Sequence, residues 1–390
     1  MKNYLKAFID SGTKAGILLF IAAILAIFCK NSFLAPSYDS FVSYPLKIGI
    51  ADFALNKTVS HWIDDFLMVG FFLLVGLELK REFLIGHISS LQSASLPAIG
   101  AFGGMLVPAL IYLYFNNSNP EAITGWAIPT ATDIAFSLGV LSLLGNKIPV
   151  SLRVFLTTLA IFDDLGAILV IAIFYTSTLA TPFIIAAGGI CLVLYLLNRF
   201  QIQFLSIYLI FGILLWFMVL KSGIHATIAG VLLAFFIPLK SNKKDKSMLK
   251  DLEHILHPWV AYGILPLFAF VNSGISLELL SSKSLSQPIA LGVMLGLFFG
   301  KQIGVFLFSY LAIKLKISKL PAKANFAQLY GVAIITGIGF TMSIFIGTLA
   351  FSGPESIDVA KAGTIIGSLA SGITGYLLLK FVSKNNKKNR

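Results

Sequence analysis

The stretch LAIFDDLGAILVIAIFY, from Leu159 to Tyr175, places two adjacent aspartates in the middle of an otherwise apolar run. A helix of about 20 apolar residues is long enough to cross a hydrocarbon core of about 30 Å. Asp163 and Asp164 lie far from both ends of the run, so no shift of its boundaries brings them to a membrane surface. The stretch therefore predicts a membrane-spanning helix with two acidic side chains at mid-depth, where ionisable groups usually have a function.

The whole chain has the composition of a membrane protein. Its 390 residues are 57% hydrophobic and 12% charged, and the mean hydropathy is +0.90, well above that of soluble domains. We predict an all-α polytopic membrane protein that forms a single integral-membrane domain over residues 1–390. Twelve transmembrane helices are predicted, at 12–29, 60–79, 96–115, 122–144, 154–175, 182–198, 204–220, 223–239, 256–272, 289–312, 326–350 and 359–380.

The basic residues predict the orientation in the membrane. Most of the 29 Lys and Arg residues fall in segments that share one side if the N-terminus is cytoplasmic. Because Lys and Arg accumulate in cytoplasmic loops, both termini are predicted to be cytoplasmic, and the net charge of +12 implies no nucleic-acid partner. The polar segment from Asn31 to His61 then lies outside. Its portion LKIGIADFALNKTV (46–59) fits either a short β-hairpin or an irregular loop.

Two more ionisable residues lie at the centre of predicted spans. Asp133 is in the fourth span and Lys301 is in the tenth. Each such group costs about 2.5 to 3.5 kcal/mol on insertion scales. A single Asp–Lys pair could simply hold helices together. Three acids against one base leave a carboxylate that must be protonated, hydrated or bound to a cation.

The adjacent aspartates need not have the same role. Neighbouring residues of a helix point about 100° apart, so one carboxylate could face Lys301 and the other a water-filled cavity. A carboxylate can hold a proton or help to hold a hard cation through its oxygens. Competition between the two for one site is the minimum requirement for exchange.

Two spans carry helix-breaking residues and resemble each other. Pro129 lies close to Asp133 in span 4, and span 11 contains Gly337 and Gly339. Spans 4 and 11 align without a gap and run in opposite directions, which predicts an inverted-topology repeat of spans 3–5 and spans 10–12. The matched pairs are Gly125 with Gly331, Ala127 with Ala333, Ile128 with Ile334, Thr130 with Thr336 and Ser137 with Ser343.

Two broken helices that cross antiparallel bring two positive helix N-termini together and two negative C-termini together. Asp133 and Lys301 have the correct charges to neutralise these pairs. A structural role for Asp133 and a direct role in ion binding both remain open.

Six motifs together resemble the NhaA family of sodium/proton antiporters over nearly the whole chain. The family is a known example of inverted repeats with broken helices. The motifs are FFLLVGLELKRE (71–82), PTATDIAFSLGV (129–140), LAIFDDLGAILVIAIFY (159–175), KSGIHATIAGVLLAFFIP (221–238), FFGKQIGVF (298–306) and TGIGFTMSIFI (336–346).

This resemblance implies a secondary transporter, not an enzyme, that needs no cofactor. It implies electrogenic exchange of one cytoplasmic sodium or lithium ion for two external protons across a bacterial cytoplasmic (inner) membrane.

Asp163 and Asp164 match the ion-binding pair of the family. Thr132, Asp133 and Lys301 match its broken-helix and charge-compensation positions. The core bundle would include spans 3–5 and 10–12, with the other spans as scaffold, and the 45–58 hairpin would connect a homodimer.

The resemblance also implies regulation by pH, as in members of the family. Seven residues match the proposed pH-sensing positions of the family: Glu78, Arg81, Glu82, His225, Glu253, His254 and His257. The residues alone leave other interpretations open. Glu78, Arg81 and Glu82 share one helix face and could form a solvated ion-pair cluster or an acidic funnel for cations. A histidine at position 225 is more often a packed polar residue than a sensor.

Three other classes of protein are considered. An intramembrane aspartyl protease could use Asp133 and Asp163, but it would leave Lys301 and the repeat unexplained, and no GxGD sequence is present. A passive cation channel would use acidic rings without an alternating-access repeat. A sodium-coupled symporter of related fold would need a further cavity for an organic substrate.

Overall fold

The structure is a computed structural model that describes residues 2–49, 54–86, 91–176, 179–239 and 247–388. Within these residues, seven helices are long and apolar enough to cross a membrane, and the number rises to nine if each of two bent helix pairs forms one span. The prediction of a polytopic helical protein is confirmed to this extent. The count of twelve spans stays a prediction.

Helices form most of the described chain. In chain order the α-helices are α1 (Lys2–Lys30), α2 (Ala35–Ser43), α3 (Val59–Trp62), α4 (Met68–Ile85), α5 (Leu91–Asn116), α6 (Pro120–Ile123), α7 (Ile134–Ser142), α8 (Val150–Phe174), α9 (Thr181–Arg199), α10 (Leu205–Ser222), α11 (Ile228–Phe236), α12 (Met248–Trp259), α13 (Leu265–Asn272), α14 (Ser282–Leu285), α15 (Pro288–Leu295), α16 (Lys301–Lys314), α17 (Phe326–Ile335), α18 (Phe340–Ala350) and α19 (Pro354–Lys388). Shorter 3-10 turns cover Thr124–Thr130, Gly145–Lys147 and Leu277–Leu280, and π-helical turns cover Ile63–Leu67, Val260–Ile264 and Gly296–Gly300.

The polar segment after α2 forms a β-hairpin. Strands β1 (Pro45–Ile48) and β2 (Leu55–Thr58) pair antiparallel, with Pro45 opposite Thr58 and Ile48 opposite Leu55. The hairpin interpretation is therefore confirmed and the irregular loop is excluded for these strands. The tip, residues 50–53, lies outside the described residues.

The chain divides into two compact units. The first contains residues 1–31, 87–167 and 273–390, and the second contains residues 32–86 and 168–272. In the first unit, α5 and α16 approach so closely that a Cβ atom added to Gly304 would lie 2.1 Å from the carbonyl oxygen of Gly103. Only glycine fits at this crossing, which brings the start of α16 against α5.

The second unit has a separate apolar core. Its fully buried side chains include Leu77 of α4, Tyr208 and Leu215 of α10, and Leu249 of α12. Helices α4 and α11 cross at a glycine, because a Cβ atom on Gly230 would lie 2.4 Å from the carbonyl oxygen of Val69.

Two helices of the first unit are interrupted where the sequence predicts breaks. The 3-10 turn that ends at Thr130 is followed by extended backbone up to Asp133, where α7 begins. Helices α17 and α18 are separated by Thr336–Gly339 and bend by 44°. In the ungapped alignment Asp133 falls opposite Gly339, and these are the N-cap residues of α7 and α18. This correspondence supports the repeat, which stays a prediction.

Candidate functional site

The two interrupted segments of the first unit are joined by hydrogen bonds. The backbone N–H of Asp133 donates to the carbonyl oxygen of Ile338 at 2.7 Å. The hydroxyl of Ser137 donates to the carbonyl oxygen of Ile335 at 3.3 Å. Carbonyl groups that a break frees from helical bonding thus accept hydrogen bonds from the opposite segment.

The Asp133 carboxylate lies at the N-terminal ends of both α7 and α18. Its Oδ1 accepts the N–H of Phe136 at 2.9 Å, in the first turn of α7. Its Oδ2 accepts the N–H of Thr341 at 3.1 Å and the hydroxyl of the same residue at 2.5 Å, in the first turn of α18. A carboxylate in this position satisfies backbone donors that lack helical partners and interacts favourably with both helix dipoles.

Asp163 and Lys301 form a buried ion pair beside this crossing. Lys301 Nζ lies 2.5 Å from Oδ2 of Asp163, and the two side chains are 0% exposed. The hydroxyl of Thr132 lies 2.6 Å from the same oxygen. Within the described part of the chain, the other oxygen of Asp163, Oδ1, has no hydrogen-bond partner.

Asp164 is also enclosed by protein. Its residue is 1% exposed, as is Asp163, so neither carboxylate is open to solvent in this structure. Asp164 interacts electrostatically with Lys301. Two carboxyl groups and one ammonium group therefore share a buried region, and ions can reach it only if the surrounding helices move.

The shape of the chain around Lys301 explains how a lysine fits there. The π-helical turn Gly296–Gly300 precedes it, and such turns occur frequently at functional sites. A Cβ atom on Gly300 would lie 2.7 Å from Cα of Pro108, and one on Gly104 would lie 3.7 Å from Lys301 Nζ. The glycines let α5 and α16 pack closely, with the lysine side chain running past Gly104 towards α8.

The structure brings part of the predicted pH-response set together, in the second unit. Arg81 Nε donates to both carboxylate oxygens of Glu253, at 3.1 and 2.9 Å, and its Nη1 donates to Oε1 of Glu82 at 2.6 Å. Glu78 interacts electrostatically with Arg81 and Glu253. Glu82 is only 8% exposed. The cluster therefore links α4 with α12 and is only partly solvated, unlike a surface ion-pair cluster.

The three histidines of that set lie elsewhere in the second unit. His225 hydrogen-bonds through Nδ1 to the hydroxyl of Thr227 at 2.8 Å, and its Nε2 lies 3.7 Å from Asp65. Asp65 also pairs with Lys57 of the hairpin. His254 is exposed and His257 is half-buried on α12, and they interact with each other electrostatically.

Several residues of the site could not be identified from sequence alone. Thr341 binds Asp133, and the Oγ of Ser368 on α19 accepts the N–H groups of Gly339 and Phe340 at 3.2 Å. Thr336 contributes a carbonyl oxygen. The one available signal was the alignment of Thr336 with Thr130.

Interrupted helices that cross beside buried, oppositely charged groups define a class of protein, the ion-coupled secondary transporters of the membrane. Comparison with known sequences identifies the family. The family model described as Na+/H+ antiporter 1 matches residues 6–379, and the chain belongs to this family.

Curated relatives match over nearly their full lengths. The Na(+)/H(+) antiporter NhaA of Campylobacter concisus (strain 13826) is 50% identical over 384 residues, which are 98% of this chain and 94% of that protein. That of Pelagibacter ubique (strain HTCC1062) is 51% identical over 380 residues, 97% of each chain. That of Aliivibrio fischeri (strain MJ11) is 52% identical over 382 residues, 97% of this chain and 98% of the relative. Together with the apolar helices, these matches identify a multi-pass integral membrane protein.

Proposed function

We propose that this protein exchanges sodium ions for protons across the membrane and that Asp163 and Asp164 carry the exchange. The observation that carries the proposal is the buried group of two carboxylates and one ammonium beside crossed, interrupted helices. The names of the full-length relatives support sodium and protons as the substrates.

The proposed mechanism is competition for the aspartates. Sodium is a hard cation that prefers oxygen ligands, and a carboxylate that holds a proton is a poor ligand for it. Oδ1 of Asp163 and the Asp164 carboxylate are the oxygens we assign to the cation. Opening to one side loads sodium and releases protons, and opening to the other side reverses the exchange. The protein changes from one opening to the other when the site holds sodium or protons, but not when the site is empty and charged.

The buried Lys301 compensates charge in this scheme. Its ammonium pairs with Asp163 at 2.5 Å and reduces the cost of ionised carboxylates at this depth. Asp133 has a structural role in the proposal, because its two oxygens are already engaged by the first turns of α7 and α18. These bonds also argue against a protease, which would need Asp133 and Asp163 to hold one water between them.

We further propose that the exchange is electrogenic, with two protons entering for each sodium or lithium ion that leaves. One net positive charge would then move inward per cycle, and an inside-negative potential contributes about 2.3 kcal/mol per 100 mV for that charge. The family resemblance supports this stoichiometry and direction. It also supports a bacterial inner membrane, cytoplasmic termini and a homodimer through the 45–58 hairpin.

Regulation by pH is proposed for the cluster of Glu78, Arg81, Glu82 and Glu253. It joins two helices of the second unit through buried and half-buried charges, and its acids are the groups that would release protons as the protein activates. His225, His254 and His257 are proposed as secondary contributors.

Everted membrane vesicles test the proposed exchange. Vesicles acidified by respiration are loaded with a dye that reports the pH gradient and are then challenged with sodium, lithium or potassium chloride. We expect sodium and lithium to collapse the gradient, potassium to have little effect, and Asp164→Asn to abolish the response. Sodium flux without counter-movement of protons would contradict exchange and indicate a channel.

The reversal potential in proteoliposomes tests the stoichiometry. A value that fits one sodium per proton would contradict the electrogenic exchange.

A further inference from the structure

The hydroxyl of Thr132 lies within hydrogen-bond distance of two acceptors, but it can donate to only one of them at a time. It lies 2.6 Å from Oδ2 of Asp163 and 2.9 Å from the carbonyl oxygen of Thr336. A threonine hydroxyl carries a single hydrogen, so it satisfies one of these acceptors at a time. Thr132 and Thr336 are both 0% exposed, and water therefore has no ready access to replace the missing hydrogen bond.

The two acceptors belong to different parts of the site. Asp163 is a proposed cation ligand and is paired with Lys301. The Thr336 carbonyl lies at the C-terminal end of α17, in the interruption before α18. The Thr132 hydroxyl thus connects the ion-binding carboxylate to the interruption of the opposite helix.

The charge of Asp163 decides which acceptor receives the hydrogen. With neither a cation nor a proton bound, the ionised carboxylate is the stronger acceptor, because hydrogen bonds to charged groups are about twice as strong as neutral ones. A cation bound at Asp163 attracts the lone pairs of the neighbouring hydroxyl oxygen and repels its hydrogen. The hydrogen then turns away from the cation and towards the Thr336 carbonyl.

We propose that Thr132 is a positioning residue that transmits cation occupancy of Asp163 to the interruption between α17 and α18 through this exchange of hydrogen-bond partners. The inference rests on the proposed function, since it takes sodium at Asp163 as its starting point. When sodium is bound, the Thr132 hydroxyl donates to the Thr336 carbonyl and stabilises the backbone of the interruption. When sodium is released, this hydrogen bond breaks. Thr336 acts through its backbone carbonyl and contributes no side-chain ligand.

Hydrogen–deuterium exchange, followed by mass spectrometry on a peptide covering residues 335–341, tests this inference in the full-length purified protein. Samples are compared in sodium chloride and in choline chloride at equal ionic strength and at one alkaline pH, where the sodium-free site is deprotonated. In the wild-type protein we expect sodium to slow the exchange about fivefold, the factor that corresponds to one net hydrogen bond. Thr132→Ser keeps the hydroxyl and should show the same sodium effect.

Thr132→Val has nearly the same shape without the hydroxyl and should show no sodium effect. In choline chloride it should exchange at the wild-type rate, because the Thr336 carbonyl lacks its partner in both proteins. This comparison needs no sodium binding by the variant. Ser137→Ala is the matched control, since its hydroxyl donates to Ile335 in the same crossing and touches no carboxylate, so its sodium effect should persist.

Three results would overturn the inference: a wild-type protein without a sodium effect, faster exchange of Thr132→Val than of the wild type in choline chloride, or a full sodium effect in Thr132→Val. Each can occur while the wild-type protein still exchanges sodium for protons in vesicles. Failure of that vesicle assay would instead overturn the proposed function.

Discussion

Lys301 Nζ lies 2.5 Å from Oδ2 of Asp163, and both residues are buried. A buried pair of this kind costs desolvation free energy on each side, and each charge is tolerable because the other is present. Removal of one partner and removal of both should therefore have different consequences, which makes the pair accessible to a double-mutant cycle.

The first prediction concerns the stability of this pair. Lys301→Met leaves Asp163 without its counter-charge and should lower the free energy of unfolding by roughly 3 to 5 kcal/mol. The double variant Asp163→Asn with Lys301→Met should recover a large part of the loss. Thermal unfolding in detergent measures both. Lys314→Met is the control, because Lys314 is exposed on the same helix, and equal losses for the single and double variants would contradict the prediction.

The second prediction separates a structural role of Asp133 from ion binding. Asp133→Ala removes the acceptor for the first turns of both α7 and α18 and should destabilise the protein by about 2 kcal/mol. Asp133→Asn keeps an acceptor oxygen, so it should cost less and retain sodium-dependent antiport. Glu355→Ala is the control, an exposed acid in the first turn of α19. A stable Asp133→Asn protein without antiport would favour direct ion binding.

The third prediction concerns the close crossing of α5 and α16. Gly304→Ala would place a Cβ atom 2.1 Å from the carbonyl oxygen of Gly103, so the helices must separate and Lys301 must move with α16. We expect a loss of about 1 to 3 kcal/mol in stability and a reduced antiport rate. Gly188→Ala in α9 meets no atom within 4 Å and should change neither. Equal behaviour of the two variants would show that the crossing does not position Lys301.

The fourth prediction concerns pH activation. Glu253→Gln removes a negative charge from the cluster around Arg81, and a less negative cluster attracts protons less strongly. Antiport should therefore activate at a lower pH, with the maximal rate retained. Asp251→Asn, at an exposed position on the same helix, should leave the pH profile unchanged. The rate of gradient collapse across a pH series measures both, and an unchanged Glu253→Gln profile would remove the cluster from the regulatory proposal.

The sequence predicted much of this arrangement because membrane insertion leaves clear signals. Apolar runs predicted the helices, and Pro129 and the Gly337–Gly339 segment predicted the interruptions. A surplus of acids over bases inside the predicted spans indicated that Asp163 and Lys301 belong to a functional site, and the two residues lie in contact. Such signals are local, or they depend only on depth in the membrane.

The remaining features depend on how distant segments cross. The bond of Thr341 to Asp133 joins residues 208 positions apart, and the bond of Arg81 to Glu253 joins residues 172 positions apart. A threonine in an apolar span or a glutamate near a membrane surface has many possible partners. The π-helical turn before Lys301 has no distinctive composition, so its effect on the lysine could not be inferred from the residues.

Proton release on sodium binding tests the central claim most directly. The purified protein, in a weakly buffered solution near its activation pH, is mixed with sodium chloride or choline chloride while the pH is recorded. Competition at Asp163 and Asp164 predicts acidification with sodium, none with choline, and none with sodium in the Asp163→Asn and Asp164→Asn double variant. Sodium binding by the wild-type protein without proton release, or full release by the double variant, would contradict the account.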